Sequence, residues 1–245
     1  MQEVLSITIL GSLVGIVGTG LGGIIALSLV RPNNKFLSIL LGFTSGLMIA
    51  VVTLDLLPES QKIGGIRIEI IGIILGIITV IFIDNMLPKN ITKNGLNKED
   101  SFLKAGIMIG LGIAIHNLPE GLAVGSSFIF TADMGIRMAL VISLHNLPEG
   151  IAMATPLRIG GFPKIKVLLL TLASGVPTGL GAFMGALLGN ISDSFIALCL
   201  AIAGGTMLYI TCGELIPNAK TLHKGRASTI GVIIGFIFGM IFVVK

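Results

Sequence analysis

Charge is scarce in this 245-residue chain: Asp, Glu, Lys and Arg together make up 11% of it, against about 25% in ordinary soluble domains. A globule facing water on all sides needs far more polar surface, so a soluble domain is excluded. Cysteine is nearly absent. Cys199 and Cys212 both fall inside one apolar stretch, which removes a disulfide framework. The first residues lack a basic segment, Glu3 being the only charge before Arg31, and they offer no small-residue cleavage site. They read as a membrane span and not as a signal peptide. Dense basic runs are missing too. The net charge of +4 comes from Lys and Arg placed singly or in small groups between apolar stretches, the pattern of membrane topology signals and not of a nucleic-acid partner.

What remains is apolar: 53% of the residues are hydrophobic, with 34 glycines besides, and the mean hydropathy is +1.02. A bilayer core requires about 20 mostly apolar residues per helix. Runs between charged or turn-rich breaks predict eight such helices, at 4–30, 36–58, 66–87, 102–130, 134–157, 165–189, 193–217 and 227–244. The expected fold is all-α, a polytopic membrane protein in the lipid bilayer. The longest connection, 88–101, leaves no room for a soluble domain. Of the 16 basic residues, twelve fall near the odd-numbered connections (among them Arg31, Lys89, Lys93, Lys104, Arg158 and Lys224) and four on the other side. By the positive-inside rule the odd connections are cytoplasmic and both termini external.

Sliding the chain against itself by 159 residues aligns the first three spans with the last three. Thr19-Gly20-Leu21-Gly22 falls on Thr178-Gly179-Leu180-Gly181, and Gly46, Met48, Leu56 and Pro58 fall on Gly205, Met207, Leu215 and Pro217. Asp55 meets Glu214, each three residues before its proline. The first copy starts outside and the second inside, so the two lie upside down relative to each other. The expected organisation is one transmembrane transport unit over 1–245: repeat one at 1–87, a central helix pair at 102–157 and repeat two at 164–245. Inverted repeats place a substrate site near the midplane and permit alternating access.

The central pair shares the hexapeptide His-Asn-Leu-Pro-Glu-Gly, at His116–Gly121 and again at His145–Gly150. His and Glu four residues apart share a helix face. An ionised carboxylate at mid-bilayer costs a few kcal/mol even on the lenient insertion scale, and no Lys or Arg lies within a span interior to neutralise Glu120 or Glu149. A divalent cation does so. Pro119 and Pro148 free the carbonyls of Ile115 and Leu144, and such carbonyls at membrane depth belong where a cavity or ligand meets them. Imidazole with carboxylate suits Zn²⁺, Fe²⁺ or Mn²⁺, and the lack of thiolate points to binding weak enough for release. A membrane-embedded metal hydrolase is the alternative class, disfavoured because the motif is not HExxH and hydrolysis has no need of inverted repeats. A sensor would need an output domain.

Eight spans, external termini and the doubled HNLPEG motif resemble the ZIP (Zrt-/Irt-like protein) family of divalent-metal transporters, over essentially the whole chain and in its short, prokaryotic form. The resemblance implies no enzyme but a multi-pass plasma-membrane protein that imports Zn²⁺, with Fe²⁺, Mn²⁺ or Cd²⁺ as further substrates, and it hints at a homodimer. By that resemblance His116, Glu120, His145 and Glu149 form the main metal site, and Asn117 and Asn146 help build a neighbouring one. Where many bacterial relatives carry a span-six glutamate this chain has Thr178, which counts against a full second site. Asp55 and Glu59 near the outer mouth, with Glu214 and His223 near the inner one, are the pathway candidates. Asp84 and Asp133 are expected to act as helix-end residues, and Cys212 as a buried packing residue.

Overall fold

The computed structural model describes residues 2–28, 33–86, 98–188 and 192–243. Arg31, Lys89, Lys93 and most of the 88–101 connection lie outside the described residues. Among those described there is no strand; nearly all are helical. The helices in order are α1 (Gln2–Ser28), α2 (Asn34–Val51), α3 (Leu57–Met86), α4 (Lys98–Phe130), α5 (Ala132–Ile159), α6 (Lys164–Ser174), α7 (Val176–Leu188), α8 (Asp193–Ile210), α9 (Ile216–Leu222) and α10 (Ala227–Val243). Wider π-helical turns at Val52–Leu56 and Thr211–Leu215 join α2 to α3 and α8 to α9.

By length and hydropathy five stretches among the described residues are able to cross a membrane: Gln2–Ser28, Asn34–Phe82, Phe102–Ile129, Lys164–Leu187 and Asp193–Leu222, with Ala227–Ile241 apolar but shorter. The chain is therefore a multi-pass, all-helical membrane protein. The second stretch is long enough to cross twice, and it turns at Gly65, whose φ of 76° breaks the helix. A residue with a Cβ is strained in that conformation. Helix α5 is about 42 Å long at 1.5 Å per residue, yet its polar content keeps it off that list. It carries the second HNLPEG motif and is buried from Gly150 through Leu157. A helix enclosed by other helices does not have to present an apolar surface to lipid.

The boundaries of α2 and α8 obey the 159-residue shift. Helix α2 begins at Asn34 and ends at Val51; α8 begins at Asp193 and ends at Ile210. Their N-caps correspond as well: Phe36 N–H donates to Asn33 Oδ1 at 2.7 Å, and Phe195 N–H to Ser192 Oγ at 3.3 Å. The π turns correspond residue for residue. In each the closing bond spans five residues, from Leu57 N–H to the Val52 carbonyl and from Ile216 N–H to that of Thr211. Pro58 and Pro217 follow directly. Proline has no N–H to give to the carbonyl four residues back, and a widened turn rearranges the bonding there.

Packing follows the same relation. Helix α2 packs on α10 and α3 on α8; α4 packs on α7 and α1 on α5. Ser38 Oγ donates to the Ala219 carbonyl at 2.7 Å, and Ser60 Oγ to the Ala197 carbonyl at 2.7 Å, four residues that exchange in pairs under the shift. Glycines set the closest approaches. A Cβ on Gly121 would lie 1.9 Å from the Thr178 carbonyl oxygen, and one on Gly150 would lie 2.0 Å from that of Thr19. The last residue of each HNLPEG motif is thus the point where its helix meets the backbone of the next, as small residues permit between membrane helices.

Two expectations are corrected and one is refined. The sixth span crosses as Lys164–Leu187 but is interrupted at Gly175 between α6 and α7, because Pro177 cannot continue the bonding of α6. Asp84 makes an ion pair of 2.9 Å with Lys104 across α3 and α4 and is not a helix-end residue alone. Cys212 is exposed, not buried. Asp133 pairs with Arg137 one turn on, at 3.0 Å, in an exposed setting.

Candidate metal site

Helix α4 runs unbroken through Pro119 and α5 through Pro148. Thr131 alone joins them, so they form an antiparallel hairpin. His116 and Glu120 lie one turn apart on α4, and Glu149 reaches them from α5. His116 Nε2–H donates to Glu149 Oε1 at 2.8 Å, with both side chains 1% exposed. One ligand atom from each of His116, Glu120 and Glu149 falls within 4.8 Å of the other two. Two carboxylates at such separation in a buried setting repel each other strongly, and a dication among them removes that repulsion. The chemistry available is oxygen and nitrogen ligation without sulfur. The side chain of His145 lies outside the described residues.

Asn117 and Asn146 are wholly buried. Asn117 Nδ2 donates to the Ser174 carbonyl at 2.7 Å. That carbonyl is left over at the α6–α7 break, where Thr178 N–H turns to the Gly175 carbonyl instead. Asn117 Oδ1, both amide atoms of Asn146, Thr178 Oγ1 and Glu149 Oε2 have no hydrogen-bond partner among the described residues. Buried polar atoms are nearly always satisfied, and here they gather beside a cluster already suited to a cation.

A cavity of about 410 Å³ leads to this cluster. Glu120 lines it together with Asp55, Glu59, Lys62, Ser126, Ser127 and Asp193. Its walls come from the first π turn and the start of α3, the second half of α4, the first half of α5 and the first half of α8. Asp55 and Glu59 are thereby brought into the same space as the central cluster. Asp55 sits in the π turn, which rotates it relative to a regular helix. Glu59, half-buried, pairs with the exposed Lys62 at 3.3 Å.

Glu214, the counterpart of Asp55, lies in the other π turn. Asn218 Nδ2 donates to its carbonyl at 2.7 Å and approaches its Oε2 at 3.5 Å. His223 caps the C-terminus of α9 in an extended conformation. Neither joins the central cluster, and Thr178 lies beside it without being one of its three members. Sequence reasoning missed Ser126, Ser127, Asp193 and Asn218. The first two were within reach, since Ser127 follows Glu120 by two helical turns. Asn218 is the 159-shift counterpart of Glu59.

The family model described as "ZIP Zinc transporter" matches residues 93–244. The chain is 32% identical to the zinc transporter ZupT of Clostridium perfringens, covering 97% of this chain and 94% of that protein. It is 33% identical to ZupT of Streptococcus mutans, covering 96% of each, and 35% identical to ZupT of Lysinibacillus sphaericus, covering 89% of each. With the family match spanning more than half of its length and relatives of this identity spanning nearly all of it, the chain belongs to the ZIP zinc transporter family.

Proposed function

We propose that this protein imports Zn²⁺ across the plasma membrane into the cytoplasm, with Fe²⁺, Mn²⁺ and Cd²⁺ as competing substrates, through a site built on His116, Glu120 and Glu149. His145 completes the site on its sequence position. The observation that carries this reading is the buried His116–Glu120–Glu149 group at the inner end of an acid-lined cavity. A hydrated cation entering past Asp55 and Glu59 exchanges water for carboxylate oxygen and imidazole nitrogen. The ion cancels two carboxylate charges at a depth where they are otherwise unstable. Without thiolate ligands the complex stays labile enough to release its cargo.

An eight-span, 3 + 2 + 3 inverted repeat with both termini outside accounts for the shared helix boundaries, the matched π turns and the exchanged serine bonds. It makes the cavity an outward-facing vestibule. The counterparts of its apolar lining on the opposite end, Leu37, Leu41, Ile109, Ile113, Ala152, Leu215 and Leu222, belong to the main hydrophobic cluster, as do Leu56, Ala123 and Leu200 of the cavity itself. Alternating access opens the two mouths of such a repeat in turn, and this state opens on the Asp55 side. In the other state the ion leaves past Glu214, Asn218 and His223. Two related conformations, and not a hydrolytic reaction, are what such symmetry supplies.

Zn²⁺ uptake into proteoliposomes, with Fe²⁺, Mn²⁺ and Cd²⁺ as competitors, tests the proposal. Flux that competes with these ions and falls sharply in Glu120→Gln supports it. Wild-type liposomes that bind zinc and pass none overturn it.

A further inference from the structure

Beside the three ligating residues, α1, α4, α5 and α7 frame a second buried position whose polar groups are all neutral. Asn117 lies along α7 between Ser174, whose carbonyl it bonds at 2.7 Å, and Thr178, whose carbonyl touches Gly121 one turn on. Thr178 Oγ1 sits against Gly15 of α1, and Asn146 Cβ against Gly18, one turn further along the same helix. Asn117, Asn146 and Thr178 are each 0% exposed. Among them, four polar atoms (Asn117 Oδ1, Asn146 Oδ1 and Nδ2, Thr178 Oγ1) have no partner among the described residues, and Glu149 Oε2 beside them has none either.

We propose that this position holds water, not a second metal ion, and that the protein therefore carries one divalent cation at a time. The inference rests on the reading of His116, Glu120 and Glu149 as the metal site. Charge decides it. Glu120 and Glu149 bring two negative charges, and one dication cancels both. A second dication would leave a net charge of +2 buried away from water, facing amide and hydroxyl oxygens and one carboxylate whose charge the first ion already cancels, and an uncompensated buried charge is strongly unfavourable. Water asks for no charge balance. It needs two to four polar partners in a polar space, and the four orphaned atoms with Glu149 Oε2 supply donors and acceptors of both kinds. Asn146, with neither amide atom bonded among the described residues, is the residue such water satisfies most. Bridging Asn146 to Glu149, it steadies a ligand carboxylate from behind, as outer-sphere partners of metal ligands do.

The test is the zinc content of purified full-length protein at saturation, measured by elemental analysis, with His116→Ala as the background. The wild type is expected to hold one zinc per chain above that background. Thr178→Glu supplies the missing negative charge and is expected to raise the count from one to two. Asn146→Asp adds the same charge with no added bulk, and serves if the bulkier variant does not fold. Two zinc ions per wild-type chain, falling to one in Thr178→Val, would overturn the proposal and leave the main site standing. A folded Thr178→Glu or Asn146→Asp protein that still binds only one overturns the charge argument. No zinc above the His116→Ala background would instead refute the reading of the main site.

Discussion

A single methyl group on Gly121 should disturb the site without touching a ligand. Its Cβ would stand 1.9 Å from the Thr178 carbonyl oxygen, whereas ordinary contact begins at 3.4 Å, so α4 and α7 must part by about 1.5 Å. That displacement stretches the Asn117–Ser174 bond from 2.7 Å to about 4 Å, beyond hydrogen-bond range. Overpacking of this kind costs about 1–3 kcal/mol, and the lost bond about 1 kcal/mol. The better helix propensity of alanine returns about 1 kcal/mol. The net effect is a destabilisation of about 1–3 kcal/mol, or several degrees in Tm at this chain length. Gly150→Ala, with a 2.0 Å approach to the Thr19 carbonyl, should match it. Gly213, whose nearest neighbour is 3.8 Å away, is the control, and its alanine variant should leave Tm unchanged or slightly raised. Thermal unfolding of the three purified variants checks this. Equal Tm values for Gly121→Ala, Gly150→Ala and Gly213→Ala would refute the claim that these glycines set helix spacing around the site.

The other predictions concern charge and placement. Glu149→Gln keeps the shape and a hydrogen bond to His116 while removing a buried charge, so Tm should hold or rise; Zn²⁺ uptake should fall by about 10- to 100-fold, the effect of losing a charge-assisted partner worth about 1.5–3 kcal/mol. Variant uptake within a factor of two of wild type would argue against Glu149 as a ligand. Asp55→Asn should raise KM for Zn²⁺ several-fold and leave kcat nearly unchanged, with the difference shrinking at high ionic strength because an exposed-end charge is screened; a kcat effect alone contradicts the vestibule role. For topology, an impermeant thiol reagent on intact cells should label Ser192→Cys and spare Gly95→Cys, and the reverse would invert the orientation.

Much of this arrangement was legible in the sequence because it repeats. The 159-residue shift read from Thr19, Gly46, Asp55 and Pro58 is obeyed by the ends and N-caps of α2 and α8, and the i, i+4 spacing placed His116 and Glu120 on one face. The π turns were not foreseen, although their signal was on the page in both copies as an acid three residues before a proline. Their width is a matter of backbone bonding that hydropathy does not carry. Hydropathy likewise places α5 too low, since it measures fitness for lipid and the second half of that helix, from Gly150 through Leu157, is enclosed by protein. The break at Gly175 was hidden by a continuous apolar run, with Pro177 as the only cue. Cys212 was misjudged because an apolar neighbourhood in sequence does not distinguish the lipid face from the protein core.

The central claim is that a divalent cation rests on imidazole and carboxylate from α4 and α5. Zinc X-ray absorption on the purified protein, loaded with one equivalent, measures this directly. The account predicts nitrogen and oxygen ligands at about 2.0–2.1 Å, with outer-shell imidazole scattering that weakens in His116→Ala. Sulfur at about 2.3 Å, or a spectrum indifferent to His116, would contradict it.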